Sequence, residues 1–405
     1  MPFLNPQSHG KRMVDKVFKA AVKAKEDVAL HGDLVVNATL GTLYDEDGNF
    51  VALDSVWTPF STLTNVQKAK YAAGIQGNPN YRHAVKHWLF GTTAVPCEIV
   101  ATPGGAGAVS STMKNMLEPG QIVIKPSLAW GPYQTMATEF GLLTRDYNLF
   151  QGDRFDLDDF VQTCADVMSQ QGKVLAILND PCHNPSGYTM TTEEWDAVIE
   201  HLGTLAKQGP VILLHDIAYV DFSTNPDWKQ GLSRYANLPS NMMVVIAFSL
   251  SKTFTAYGMR VGAAVAITPD TDQLTFFRDA MVYSARSIWS TVNNSIMDLF
   301  AIITGDSLLL TAYQNEKQHY IDLIRERADI FIQEAKACGL PLYPYKEGFF
   351  ATIPMAKDQV EQMNLTLQEH HIFLVEVGTG LRVALCSVPK AKLKGLAKRI
   401  KDIIQ

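Results

Sequence analysis

The sequence predicts an α/β fold: a large domain with a mainly parallel central sheet, and beside it a smaller α+β domain. Three observations carry this. From about residue 95, short apolar runs rich in β-branched residues alternate with helical stretches, the pattern of parallel strands covered by helices on both faces. A single long helical pattern, LLLTAYQNEKQHYIDLIRERADIFIQEAKA, then leads out of that alternation. The chain is also long and apolar enough for two cores, at 405 residues and 47% hydrophobic.

Taken in order, the strand candidates are QIVIKPS at 121–127, KVLAILND at 173–180, PVILLHD at 210–216 and MVVIAFS at 243–249. Each closes on a polar residue. Ligands of open α/β sheets sit outside the carboxyl ends of the strands, so Asn179, Asp216 and Ser249 are expected to face one crevice. Residues 307–337 read as one helix, followed by short strands in GFFATIP and LRVALCSV and a basic helix, AKLKGLAKRIKDIIQ, read as solvated. No repeat or Gly/Ser linker marks a boundary, so the order of elements sets it. The large domain is expected at 50–309 and the small one at 1–49 with 310–405.

Composition narrows the partners. A net charge of −6, with no Lys/Arg cluster interleaved with aromatics, argues against nucleic acid. Five scattered cysteines without a CxxC pair suit reduced thiols in the cytoplasm. The opening MPFLNPQSHGKR has no apolar h-region, and no run is long enough to span a bilayer, so no membrane role is expected.

The segment densest in chemistry is Ser249-Leu-Ser251-Lys252-Thr-Phe-Thr-Ala-Tyr257-Gly258-Met-Arg260-Val-Gly262, directly after a strand candidate. A lysine at a strand's carboxyl end is a candidate Schiff-base amine, its pKa lowered by its surroundings; the bland alternative is a lysine on a surface loop. Two serine hydroxyls and an arginine nearby suit a phosphate. Upstream, Thr102-Pro-Gly104-Gly105-Ala106-Gly107-Ala108 precedes a helix, whose first N–H groups could cradle that phosphate. The loop lacks the GK[ST] ending and the GxGxxG spacing of nucleotide binders. A small phosphate ester fits better.

Asp216 ends an apolar strand, where a carboxylate needs a cationic or hydrogen-bonding partner. Asn184, in the Pro-bounded loop NDPCHNPSG, could donate to a ligand oxygen or belong to a turn. His183 fits a hydrogen-bonded role better than metal ligation, because no other His, Cys or Asp stands at ligand spacing around it. No metal is expected.

In this order the segments resemble the fold-type-I pyridoxal-phosphate-dependent transferases, and within them the class I aminotransferases related to aspartate and aromatic-amino-acid aminotransferases. The resemblance runs through nearly the whole chain. It rests on Ser-x-Ser before Lys252 and Gly-x-Arg-x-Gly after it, matched by Ser249, Ser251, Gly258, Arg260 and Gly262. It implies pyridoxal 5'-phosphate as cofactor, joined to Lys252, which also shuttles the α-proton. Asp216 would pair with the pyridine nitrogen, Tyr219 and Asn184 with the 3' oxygen, and Ser249, Arg260, Gly105 and Ala106 with the phosphate, with Ser251 also in the cofactor site. Trp130 in PSLAWGPY resembles the aromatic that stacks on the ring, and core filling is its other reading. Gly41 would line the substrate pocket and Arg382 in GLRVALCSV would clamp the α-carboxylate. Tyr71 resembles a tyrosine that reaches the partner's cofactor, which implies a homodimer with shared sites.

Two positions depart from the family pattern. Ala106 stands where many relatives carry a hydroxyl, and Tyr133 lies near the place of a histidine that supports the ring-binding aspartate. The implied activity is transamination between an L-amino acid (aspartate, glutamate or aromatic) and a 2-oxo acid such as 2-oxoglutarate. Arg286, in Ser284-Ala-Arg286-Ser-Ile-Trp289-Ser290, falls about where the family carries a distal-carboxylate arginine; a helix-surface or interface arginine is the other reading. The rivals are a pyridoxal-phosphate β-lyase or decarboxylase, and a non-catalytic regulatory module that kept the fold.

Overall fold

Seven strands of the middle of the chain form one sheet, here labelled β1 Cys97–Thr102, β2 Ile122–Pro126, β3 Leu143–Tyr147, β4 Val174–Asn179, β5 Val211–Asp216, β6 Met242–Ser249 and β7 Gly262–Ile267. Their order is β1-β7-β6-β5-β4-β2-β3, parallel except for β7, which runs antiparallel to both its neighbours. The computed structural model describes residues 3–4, 8–9, 11–12 and 16–404. Half of the MPFLNPQSHGKR stretch, at the start of the expected small domain, and Gln405 of the basic helix therefore lie outside the described residues.

The apolar runs are continuous because both faces of the sheet are covered. Successive side chains alternate faces, so β4 sends Val174, Ala176 and Leu178 into one core and Leu175 and Ile177 into another. The first core is roofed by Phe160, Cys164 and Val167 of the helix Leu157–Gln171 and by Trp195, Val198 and Leu202 of Thr192–Leu205. On the opposite face, Ala108, Val109 and Met113 of Gly104–Met116 pack with Leu274, Phe277 and Met281 of Thr271–Ile288. Each such aliphatic or aromatic side chain contributes roughly 1.5–3 kcal/mol by leaving water.

A separate core lies around a three-stranded antiparallel sheet in which Gly380–Ala384 sits between Phe350–Pro354 and Val375–Val377. The helix Ser307–Cys338 joins the two bodies. Tyr313, Ile321 and Ile324 belong to the main core, whereas Ala328, Phe331 and Ala335 belong to the second. Near the N-terminus, Val36–Asn37 pairs in parallel with Ile372–Phe373, so the segment that follows is delivered between the two bodies.

The basic C-terminal stretch differs from its expectation. Instead of one solvated helix it forms Lys390–Leu393 and Leu396–Ile404, broken at Gly395 with φ +80°, a backbone region that glycine enters without steric cost. Leu393, Leu396, Ala397 and Ile400 are buried in the second core, and the lysines face away from it. The basic composition thus marked only the outer face of an amphipathic helix. Among the described residues no single helix is long and apolar enough to cross a membrane.

Candidate active site

The sheet register brings the chemistry to one edge. Asn179 stands opposite Asp216, Asp216 opposite Ala247, and Gly262 opposite both Ser249 and Thr102. The ends of β1, β4, β5 and β6 and the start of β7 therefore line up. Over that edge opens a cavity of about 210 Å³, walled by Gly105, Ala106, Trp130, Tyr133, Asn179, Asn184, Asp216, Ala218, Tyr219, Ser249, Ser251, Lys252, Tyr257 and Arg260. The common crevice expected of Asn179, Asp216 and Ser249 is this cavity.

One end is a cradle for an anion. The helix Gly104–Met116 begins at the edge with no side chain capping its first N–H groups, leaving them free for a negatively charged ligand. A methyl group on Gly104, at φ +71°, would come within 2.6 Å of Arg260 Nη2. Arg260 lies exposed at φ +54°, its Nη1 donating to Ser251 Oγ at 2.9 Å and to the Tyr257 carbonyl at 2.6 Å. Gly262 packs so tightly on the Phe248 carbonyl and the Gly104 backbone that no side chain fits. Backbone donors, two serines and a guanidinium thus converge on one spot.

At the other end Asp216 is buried, and burial raises its carboxyl pKa. Tyr133 donates its hydroxyl to Oδ2 at 2.6 Å and the Ala218 N–H donates to Oδ1 at 3.0 Å, both of which favour the anion. Among the described residues no cation pairs with it, so the site has place for a cationic ring nitrogen. Asn179 fixes the turn by donating to the Asp216 carbonyl at 2.8 Å and accepting the Asn184 N–H at 2.8 Å. That second bond delivers Asn184, whose Nδ2 lies 3.3 Å from the Tyr219 hydroxyl. Both prolyl bonds of this loop, Asp180–Pro181 and Asn184–Pro185, are cis.

Lys252 follows β6 in a short helix, Leu250–Thr253. Its Nζ donates to the Gly41 carbonyl at 2.6 Å and lies 4.6–5.0 Å from the ring centres of Tyr257 and Tyr219. Burial, with Arg382 and Arg260 adding to it, brings its pKa down to about 7. The amine is thus poised to hold or release a proton near neutrality.

Arg382, from the central strand of the second sheet, is buried with its guanidinium 4.2 Å over the Phe350 ring. Nη1 donates to Asn184 Oδ1 at 3.2 Å and Nη2 to the Thr39 carbonyl at 3.1 Å. Its Nε has no hydrogen-bond partner among the described residues. A buried donor left open is costly unless a ligand meets it, and a carboxylate is the matching ligand.

Trp130 is half-buried and meets Tyr133 edge-on, with ring centres 5.3 Å apart. Two expected residues stand away from this cavity. Tyr71 is 82% exposed, and Arg286, exposed in the last turn of Thr271–Ile288, donates to Ser290 Oγ at 2.7 Å. His183 is buried, with Nδ1 2.8 Å from Ser186 Oγ and a pKa pulled down to about 3 by desolvation, so it is neutral. Tyr257, although within the lysine segment, and Phe350 and the Thr39 carbonyl join the site without a chemical signature in the sequence that marks them. A larger hollow of about 430 Å³ is lined by Asp180, Trp195, His215 and Tyr235 among others. These four bond to one another at 2.8–2.9 Å, leaving little to hold a ligand.

Comparisons with known proteins agree with this geometry. Residues 36–400 match the family model "Aminotransferase class I and II". The aspartate aminotransferase of Salmonella typhi is 24% identical over 355 residues, covering 85% of this chain and 87% of that protein. The aromatic-amino-acid aminotransferase of Pseudomonas aeruginosa is 25% identical over 379 residues, covering 90% and 91%. Among solved structures, an aminotransferase from Anaerococcus prevotii superposes with a TM-score of 0.95 at 31% identity over the full length of both chains. An aromatic-amino-acid aminotransferase from Burkholderia pseudomallei, covalently bound to pyridoxal phosphate, shares the fold with a TM-score of 0.80 at 20% identity, covering 99% of this chain and all of that one. An uncapped helix N-terminus beside Ser251 and Arg260, a buried carboxylate that no cation pairs with among the described residues, a lysine with its pKa lowered to about 7 and a family match over most of the chain lead to one conclusion: the chain belongs to the class I and II aminotransferases, enzymes that use pyridoxal phosphate to transfer amino groups.

Proposed function

We propose that the chain exchanges the amino groups of dicarboxylic and aromatic L-amino acids with a 2-oxo acid such as 2-oxoglutarate, as a cytoplasmic homodimer with shared sites. The observation that carries this reading is Arg382: a buried guanidinium beside the cavity, with Nε unpaired and its other nitrogens held by Asn184 and Thr39. It is preset to take a substrate α-carboxylate through two parallel hydrogen bonds. Relatives named for aspartate and for aromatic amino acids support the substrate range.

Pyridoxal phosphate, when bound, supplies the electron sink that lets the bond to the α-proton break. The residues suited to hold it are Ser249, Ser251, Arg260, Gly105 and Ala106 at the phosphate, Asp216 at the ring nitrogen, Tyr219 and Asn184 at the 3' oxygen, and Trp130 against the ring. Ala106 has no hydroxyl to offer and contributes only its backbone N–H. Arg382 fixes the substrate by its carboxylate, and that fixes which bond faces Lys252. The Lys252 amine takes the α-proton and later gives it back, a role its lowered pKa suits. Tyr133 and the Ala218 N–H favour the anionic form of Asp216, against the burial that raises its pKa. Release of one oxo acid before the next binds gives ping-pong kinetics.

Arg286 would meet the distal carboxylate across the dimer interface. Its exposed position in a single chain, and that of Tyr71, favour this role. The test is kcat/KM for aspartate, glutamate, phenylalanine and tyrosine in wild type and Arg286→Ala. Losing a desolvated charge pair should cost on the order of 2–5 kcal/mol for the dicarboxylates and much less for the aromatics. Equal losses would assign Arg286 to structure.

A further inference from the structure

Far from the cavity, three metal-ligating side chains converge from distant parts of the chain. Asp27 and His31 stand four residues apart, on one face of the helix Lys16–His31. His371 comes from the turn that enters the strand Ile372–Phe373. His31 Nδ1 lies 2.8 Å from Asp27 Oδ1, and His371 Nδ1 lies 2.8 Å from Oδ2 of the same carboxylate. The two imidazole rings lean together, with centres 4.4 Å apart and a 43° tilt, and both Nδ1 atoms contact the one carboxylate. Ligand atoms of all three residues lie within 4.8 Å of one another. His371 holds φ +62°, a conformation uncommon for a residue with a side chain.

We propose that Asp27, His31 and His371 form a binding site for a divalent transition-metal ion of the zinc class, which clips the N-terminal helix to the Ile372–Phe373 strand. Two imidazoles and one carboxylate are a donor set that zinc, nickel and copper accept, with water completing the coordination. Zinc–ligand bonds of about 2.0–2.2 Å place two ligand atoms roughly 3.4 Å apart at a tetrahedral angle and at most about 4.4 Å apart. The two 2.8 Å contacts are somewhat shorter than the tetrahedral spacing, and small rotations of the exposed His31 and half-buried His371 open them to it. The ion would replace the protons now shared between the rings and the carboxylate.

The clip would act on a thinly held element. The small apolar cluster that ties this helix down consists of Ala24, Val35 and Phe373, with a polar tie from Lys23 to Gln368 at 3.2 Å. The strand Val36–Asn37 follows, pairing with Ile372–Phe373, and it leads to the Thr39 and Gly41 carbonyls that accept from Arg382 and Lys252. A metal at this position fastens the start of the segment that borders the active site.

The test is a calorimetric titration of Zn²⁺ into phosphate-free holoenzyme, with melting curves in zinc and in EDTA. Wild type should bind one ion per chain in the micromolar range and melt at a higher temperature as free zinc rises, an effect that EDTA reverses. His31→Ala and His371→Ala should each weaken binding by at least about tenfold, the least expected for a lost ligand. In EDTA both should melt slightly below wild type, since each loses a contact to Asp27, but neither should gain stability on adding zinc; His201→Ala, on an exposed helix face, should bind like wild type. Absence of saturable binding in wild type, or binding that both variants retain, would overturn the proposal.

Discussion

Lys252 sets the pH behaviour of the site. Its pKa in the folded chain lies near 7, against 10.5 for an ordinary lysine, with desolvation as the main cause. Between those values the unfolded chain binds a proton here that the folded one does not. This group's contribution to the stability of the cofactor-free protein therefore rises with pH from about 7 towards 10.5. The same shift governs reactivity: uptake of pyridoxal phosphate by cofactor-free protein should climb with pH and level off just above 7. A rate still climbing about tenfold per pH unit at pH 9 would mean an ordinary lysine. Tyr133 allows a second test. Removing its hydroxyl leaves Asp216 Oδ2 buried without its donor, a loss of about 1–3 kcal/mol. Tyr133→Phe should hold the cofactor roughly tenfold or more weakly, measured by equilibrium dialysis, and unchanged retention would make the 2.6 Å contact incidental.

At the scale of elements, the site depends on backbones pressed together and on one buried arginine. Gly104→Ala would drive a methyl group into Arg260 at a positive φ, so its cofactor affinity should fall, and the cofactor-free form should melt lower as well because the backbone strain is present without the cofactor. Arg327, fully buried on the long helix, pairs with Glu46 at 2.7 Å and donates to the Tyr44, Asp45 and Cys386 carbonyls at 2.9–3.0 Å. It pins the loop whose earlier carbonyls hold Lys252 and Arg382. Arg327→Met strands those carbonyl acceptors while Glu46 stays solvated, and a loss on the order of 1–3 kcal/mol in denaturant unfolding is expected; no measurable loss would show the loop held by other means. The sheet strands were legible because burial on both faces makes continuous apolar runs, and Lys252, Asp216 and Asn184 because they follow such runs. The break at Gly395 was not, since a helical lysine pattern continues through it. Thr39 and Gly41 act through carbonyls, which every residue has, and so gave no signal of their contacts.

Across the whole molecule, we propose that the two cores are two domains, near 50–309 and 1–49 with 310–405, joined through a helix with one half in each. Arg382, proposed to clamp the α-carboxylate, belongs to one core and Lys252 to the other, so movement between the domains would open and close the site. Composite sites in a homodimer would account for Tyr71, Tyr283 and Phe276, all large and more than 60% exposed. Light scattering should give twice the 44.8 kDa chain mass, and a fully active monomer would remove the role of Tyr71. Contacts between remote segments were the least legible feature. Asp27 and His31 show their helical spacing in the sequence, but only the fold brings His371 to them. The central claim is tested most directly by multiple-turnover transamination in Lys252→Ala. The rate should fall by about 10²–10⁴-fold from the lost proton transfer alone, with circular dichroism unchanged; a variant turning over near the wild-type rate would contradict the assignment of Lys252 as the catalytic amine.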